Sequence, residues 1–246
     1  MIKNLIAFAI SLITVHMIYI GFVRPEAATL IAMAQEAGQI TPRAMVVILK
    51  DYEQEICLIF MLWGIFLIAN SYKTILQTNY LFSVDLIDDG VALDVDKMIK
   101  RIDEQIPSSC LSSPLVQTLR SSLWRYAATK NVQNLSDAIE SNLDALAVRQ
   151  DTENTMIRYL IWAIPSIGFI GTVRGIGQAL SMADQALAGD ISGMTNSLGI
   201  AFNSTLVALF ISVFLMFLFH QLQRLQDEQR LDTQAYCEKY LLNRIR

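Results

Sequence analysis

Four long stretches of this 246-residue chain are almost free of charge, and they limit its fold more than any other feature. They cover residues 4–23, 56–72, 159–183 and 191–219, and the one Lys, Arg, Asp or Glu inside them is Arg174. The chain as a whole is 17% charged, against about a quarter in an average soluble domain. A soluble core has no room for that much continuous apolar surface. A bilayer requires it, since about 20 apolar residues cross roughly 30 Å of hydrocarbon. Residues 56–72 reach only about 25 Å at the helical rise, with Glu55 and Lys73 placed to snorkel at the ends. The expected fold is all-α: a polytopic membrane protein with four transmembrane helices and a helical cytoplasmic domain. The first stretch is longer than the 7–15-residue core of a secretory signal, and no small-x-small site follows it, so it is expected to be an anchor.

Basic residues set the orientation. Residues 73–158 hold nine of them, the tail after residue 220 holds five, and Lys3 precedes the first span. The segment between the first two stretches holds three (Arg24, Arg43 and Lys50) against five acids, Glu26, Glu36, Asp51, Glu53 and Glu55. Fifteen of the 19 basic residues thus share one side, which places both termini in the cytoplasm. A net charge of −4 gives no basic surface for nucleic acid. The expected organisation is 1–72 for the first two spans with the external loop 24–54, 73–155 for a cytoplasmic insert, 156–220 for the third and fourth spans, and 221–246 for a cytoplasmic tail.

The insert reads as helical. Residues 92–106 have helical spacing and end before Pro107, residues 107–114 (PSSCLSSP) read as a turn, and residues 115–130 form a second helix. A third is expected to start near Asn134 or Ser136. Its Leu135, Ile139, Leu143 and Leu146 share one face. No breaker follows before Pro165, so this helix is expected to run into the third span. In the external loop, Pro25 and Pro42 flank an Ala-rich run, residues 26–40, that suits a short helix at the membrane surface. Cys57, Cys110 and Cys237 have no metal-ligand spacing and read as buried or reduced thiols.

No Asp or Glu falls inside the four stretches, and His16 and Arg174 are the ionisable candidates there. His16 stands alone on an apolar helix and reads as a satisfied or interfacial side chain. Arg174, toward the outer end of the third span, is a candidate gate or intersubunit pair. The third and fourth spans differ from the bulky first two. Pro165, Gly168, Gly171 and Gly175 give the third a small face, and Ala201, Ser204, Thr205 and Ala208 give the fourth another. Small faces let helices approach closely in lipid. They also admit a polar pathway. Thr172 and Thr205 each lie about 21 Å from the cytoplasmic end of their span at 1.5 Å per residue, so two antiparallel helices carry a threonine at matching depth. Hydroxyls bond water or a hard cation and do not ionise near neutral pH. With no carboxylate expected in the spans, another chain would have to complete a proton pathway.

Residues 165–209 resemble the signature of the MotA/TolQ/ExbB family of ion-channel proteins. Pro165, Gly168, Gly171, Thr172, Val173, Gly175 and Ile176 match the first family helix, and Thr205, Leu206, Val207, Ala208 and Leu209 match the second. The resemblance differs in detail: Ile200 stands where TolQ and ExbB types carry glutamate, and four spans are the layout of the flagellar stators. It implies a proton-channel subunit of the bacterial inner (cytoplasmic) membrane, a homopentamer around a dimer of a single-span ExbD/TolR/MotB-like partner that supplies an intramembrane aspartate. Thr172 and Thr205 correspond to the threonines lining the family pore. Ser204 and Asn203 join them as expected pathway residues, with H+ as the coupling ion and Na+ as the alternative. No cofactor, metal site or catalytic residue is expected, because no nucleophile–base pair, zinc-ligand spacing or phosphate loop occurs near a span. The rival reading is a passive membrane scaffold whose small residues only pack.

Overall fold

Backbone groups in hydrocarbon have no water to bond, so apolar spans must satisfy their own N–H and C=O groups. Helices do this here. In the computed structural model, which describes residues 2–37, 44–87, 95–107 and 110–245, α1 is Ile2–Ile18, followed by a π-type turn at Tyr19–Val23 and α2, Arg24–Glu36. The rest of the chain forms α3 (Met45–Leu49), α4 (Tyr52–Thr78), a 3₁₀ turn (Asn79–Ser83), α5 (Val95–Gln105), α6 (Pro114–Thr129), α7 (Val132–Ser181), α8 (Ala183–Leu187) and α9 (Ser192–Cys237), then a second π-type turn (Glu238–Leu242) and α10 (Asn243–Ile245). There is no strand among the described residues. Four segments, Ile2–Ala34, Tyr52–Ser83, Val132–Ser181 and Ser192–Ile245, are long and apolar enough to cross a membrane. Pro42, Arg43, residues 38–40 and 92–94, Ser108, Ser109 and Arg246 lie outside the described residues.

Three boundaries differ from the sequence expectation. Pro25 does not separate the first span from a surface helix, since α2 follows α1 through the π-type turn. Arg24 N–H donates to the Tyr19 carbonyl, five residues back. This wider turn takes up the missing donor and the ring bulk that Pro25 would force on a regular ladder. The third cytoplasmic helix starts at Val132, earlier than Asn134 or Ser136, because the Asn131 side chain accepts from Gln133 N–H at 2.8 Å. Finally, α4 begins at Tyr52, one turn before Ile56. That turn brings Glu53, Gln54 and Glu55 into the span.

The chain forms two compact units, one of Met1–Ala69 with Met156–His220 and one of Asn70–Thr155 with Gln221–Arg246. In the second, Leu86, Ile102, Leu115, Leu119, Leu123, Leu135, Ile139 and Leu241 are among the residues of a buried apolar core. Ser113 caps α6 by accepting from Val116 N–H at 3.4 Å, and Lys130 closes it in the left-handed region at φ 51°. The Tyr236 hydroxyl donates to Val84 O at 2.9 Å and accepts from Leu86 N–H at 2.8 Å, which fixes the segment after the 3₁₀ turn. Burial pushes both the Tyr236 phenol and the neighbouring Cys237 thiol up to about 12. Between α7 and α9 of this unit, Asn154 donates to Gln226 at 2.8 Å and Gln150 to Gln229 at 3.2 Å, so their buried amides satisfy each other. Cys57, Cys110 and Cys237 are all buried, and none of the three is in a disulfide.

Candidate functional site at the α7–α9 seam

In the first unit α7 and α9 meet through the small residues that their sequences align. A Cβ on Gly168 would collide with Ala208 Cβ, one on Gly171 would fall 2.6 Å from Ser204 Cβ, and one on Gly175 would fall 2.8 Å from Ala201 Cβ. Any side chain at these three positions would force the helices apart, so glycine is required by the approach itself. Pro165 lies in the same seam. Its ring removes the N–H that would bond Ile161 O, and Ser212 of α9 donates to that carbonyl instead, at 2.9 Å. The proline is thus tolerated because the facing helix supplies the missing donor.

Thr172 and Thr205 stand at the centre of the seam and hydrogen-bond each other. Thr172 Oγ1 is also 3.1 Å from Ala201 O and 3.3 Å from Gly168 O, and Thr205 Oγ1 is 3.2 Å from Gly168 O. A hydroxyl has one proton to donate. Two protons therefore serve several acceptors, and the pair can exchange hydrogen bonds without moving the backbone. Each hydroxyl reaches a carbonyl of the opposite helix, not only of its own. Ser204, buried beside them, donates to Ile200 O at 2.9 Å. Asn203 is half-buried and shares no hydrogen bond with these three hydroxyls.

The sequence reading missed the acid groups next to this pair. Glu53 is buried, and its two oxygens accept from Arg174 Nε at 2.7 Å and Nη2 at 2.8 Å. Arg174 thus has a partner in its own chain. A Cβ on Gly171 would lie 3.1 Å from Glu53 Cγ, so the carboxylate stem runs against the seam. Gln54, with no exposed surface, donates to Ser204 Oγ at 3.4 Å. Glu55 is buried on the other side of α4. It does not snorkel: Oε1 is 2.6 Å from His16 Nδ1 and Oε2 is 2.5 Å from Arg24 Nη2. His16 is accordingly a satisfied histidine, as the sequence suggests, with Glu55 as its partner. Three consecutive side chains of α4 therefore reach the other three spans. The expectation of spans without a carboxylate fails, because the apolar stretch was bounded at Ile56 while the helix extends upstream of it. One signal was available in the sequence: nothing between Asp51 and Ile56 breaks a helix, and Arg174 needed a counter-ion.

Four helices long and apolar enough to cross a membrane, a glycine-lined seam and a hydroxyl pair define a helical membrane protein with a polar contact between two of those helices. The model of the MotA/TolQ/ExbB proton channel family matches residues 108–235. The chain belongs to that family, whose members are proton-channel membrane subunits of energy-transducing complexes, working with partner proteins, and not enzymes. No curated protein and no solved structure matches the chain.

Proposed function

We propose that this chain is the ion-channel, or stator, subunit of an ion-motive-force-driven motor or energy transducer. It assembles as a homopentamer in the bacterial inner membrane, with both termini in the cytoplasm. The ring encloses a dimer of a single-span ExbD/TolR/MotB-like partner, which contributes an intramembrane aspartate facing Thr172 and Thr205. The observation that carries this reading is the mutually bonded threonine pair inside a seam too tight for side chains. A hydroxyl pair with more acceptors than protons can re-form its bonds as a proton is handed past it or a cation is bound beside it. The coupling ion is H+, with Na+ as the alternative. Ser204 and Asn203 flank the path, Arg174 controls its loop-side end, and Pro165, Gly168, Gly171, Gly175, Ala201 and Ala208 hold the helices together.

A second reading, a passive scaffold, is favoured by one observation: both threonines bond carbonyls of the opposite helix and so also serve as packing contacts. Valine separates the two readings, since it keeps the threonine shape and removes the hydroxyl. Membrane hydrogen bonds average about 0.6 kcal/mol, so Thr172→Val and Thr205→Val should assemble normally. Ion flux through the complex, read in sodium-containing and sodium-free buffer, should fall to background in both variants. Normal flux in both variants would take the hydroxyls out of the ion path, absence of flux from the wild-type complex would establish the scaffold, and a native mass other than that of a pentamer would remove the ring.

A further inference from the structure

Glu53 is a buried carboxylate that the threonine pathway as described does not use. Its side chain is 9% exposed, while that of its partner Arg174 is 36% exposed. Its Cγ lies against Gly171, one residue before Thr172, and the adjacent Gln54 reaches Ser204, one residue before Thr205. Among the described residues, Gln54 Oε1 is buried without a hydrogen-bond partner, and a buried amide oxygen in that state is costly unless a water or a proton-bearing group bonds it. Carboxylate, unpartnered amide oxygen, serine and threonine pair thus follow one another along the inner faces of α4, α7 and α9.

Resting on the channel reading above, we infer that Glu53 is the proton-accepting group at the loop-side entrance of the threonine pathway, with Arg174 as its exchangeable counter-ion. A hydronium ion at the entrance transfers its proton to the Glu53 carboxylate, leaving water and a neutral carboxylic acid. Arg174, still protonated, is released toward the aqueous end of its helix. The acid then gives its proton to a water bonded by Gln54 Oε1 and Ser204, and the regenerated carboxylate takes back Arg174. One proton enters, one leaves, and no other species is consumed. The groups around Glu53 suit this cycle. Arg174 is the cation on α7 that faces it. Asp51, Glu55 and Cys57 lie on or beside its own helix, and His16 of α1, Tyr19 of the π-type turn and Arg24 of α2 lie on the Glu55 side. The membrane part of α9, residues 192–219, has no titratable side chain and offers only Ser204. Glu53 is therefore the one acid that touches the seam among the described residues.

The test uses complexes purified from native membranes through a tag on this chain and reconstituted in vesicles. A potassium diffusion potential drives protons, and a trapped pH-indicating dye reports them. Glu53→Gln should lower flux at least tenfold, and Glu53→Asp should keep part of it. The Glu53→Gln, Arg174→Gln double variant should stay as low as Glu53→Gln, because the proton acceptor is still missing. Recovery of flux in the double variant would reduce the pair to a structural ion pair and overturn the inference. A second readout does not depend on these variants folding. A carbodiimide couples to protonated buried carboxyls, so mass spectrometry should find Glu53 labelled in the wild-type complex, more so when the loop side is acidified. Arg174→Gln should raise the labelling further, and an unlabelled Glu53 in both proteins would overturn the inference. The valine variants keep the two levels apart. Flux lost in Thr172→Val and Thr205→Val but retained in Glu53→Gln refutes only the role of Glu53, whereas a wild-type complex that carries no flux refutes the channel itself.

Discussion

Along α7 and α9 the touching residues are glycine, alanine, serine and threonine, and the helices approach until a Cβ at Gly168, Gly171 or Gly175 would overlap its neighbour. Along α1 and α4 the contact is made by large side chains. Phe8 and Trp63 lie with ring centroids 4.8 Å apart, Trp63 donates to Asn4 O at 3.1 Å, and Glu55 binds both His16 and Arg24. In lipid neither pair gains from the hydrophobic effect, because the surrounding chains are as apolar as leucine. The first pair gains van der Waals contact and backbone-directed hydrogen bonds from proximity. The second gains aromatic area and a buried ion pair from reach. Proximity puts each hydroxyl of the pair within hydrogen-bond reach of a carbonyl on the facing helix. Reach lets α1 and α4 partner charged side chains near one end of each helix. The tight seam brings the two threonines together, and the wider contact partners Glu55.

The largest effect is expected where the seam is tightest. Gly168→Leu and Gly175→Leu should abolish the folded oligomer on native gels. Overpacking costs about 1–3 kcal/mol in soluble cores that can shift, and here the opposing atoms include backbone at Ser204 and Ser197. Gly21→Leu, at a glycine with nothing within 4 Å of a built Cβ, is the control and should assemble normally. Wild-type oligomer from both seam variants would break the comparison.

A smaller effect is expected at the charged contact. Glu55→Gln leaves Arg24 without its buried counter-ion, a change that costs about 3–5 kcal/mol when both partners are fully buried. The side chains of Arg24 and His16 are 29% and 49% exposed and can turn to the interface. The expected loss is therefore about 2 kcal/mol, read as a lower thermal unfolding midpoint in detergent with the oligomer retained. An unchanged midpoint would show that α1 is held by its aromatic contacts alone.

The smallest effect sharpens the account of the proline. Ser212→Ala removes the donor to Ile161 O and should cost about 1 kcal/mol. Pro165→Ala restores the helical N–H to the same carbonyl, so in that background Ser212→Ala should cost close to nothing. Equal losses in the two backgrounds, measured as a double-mutant cycle on the unfolding midpoint, would show that the serine and the proline are unrelated.

Much of this molecule is legible in order along the chain. Charge-free runs give the spans, the matched small faces mark α7 and α9 as the close pair, and the absence of a breaker before Pro165 runs the cytoplasmic helix from Val132 into the third span. Family membership could be read from Pro165 to Leu209 for the same reason: the pattern is local. The missed acids show where such reading stops. A hydropathy boundary at Ile56 records where carbon becomes continuous, whereas a helix begins where backbone bonds begin, one turn earlier at Tyr52.

The sequence by itself determined four apolar helices, their small and bulky faces, and the two threonines at equal depth. Only the tertiary structure decided the partners. Glu53 meets Arg174 across 121 residues, Glu55 meets His16 across 39, and Ser212 meets the carbonyl opened by Pro165 across 51. Helical periodicity fixes which residues share a face, because it follows from 3.6 residues per turn. It does not fix which face of which helix lies opposite, since that depends on how all four helices pack at once. A buried carboxylate is stable only after a cation from another helix has arrived beside it.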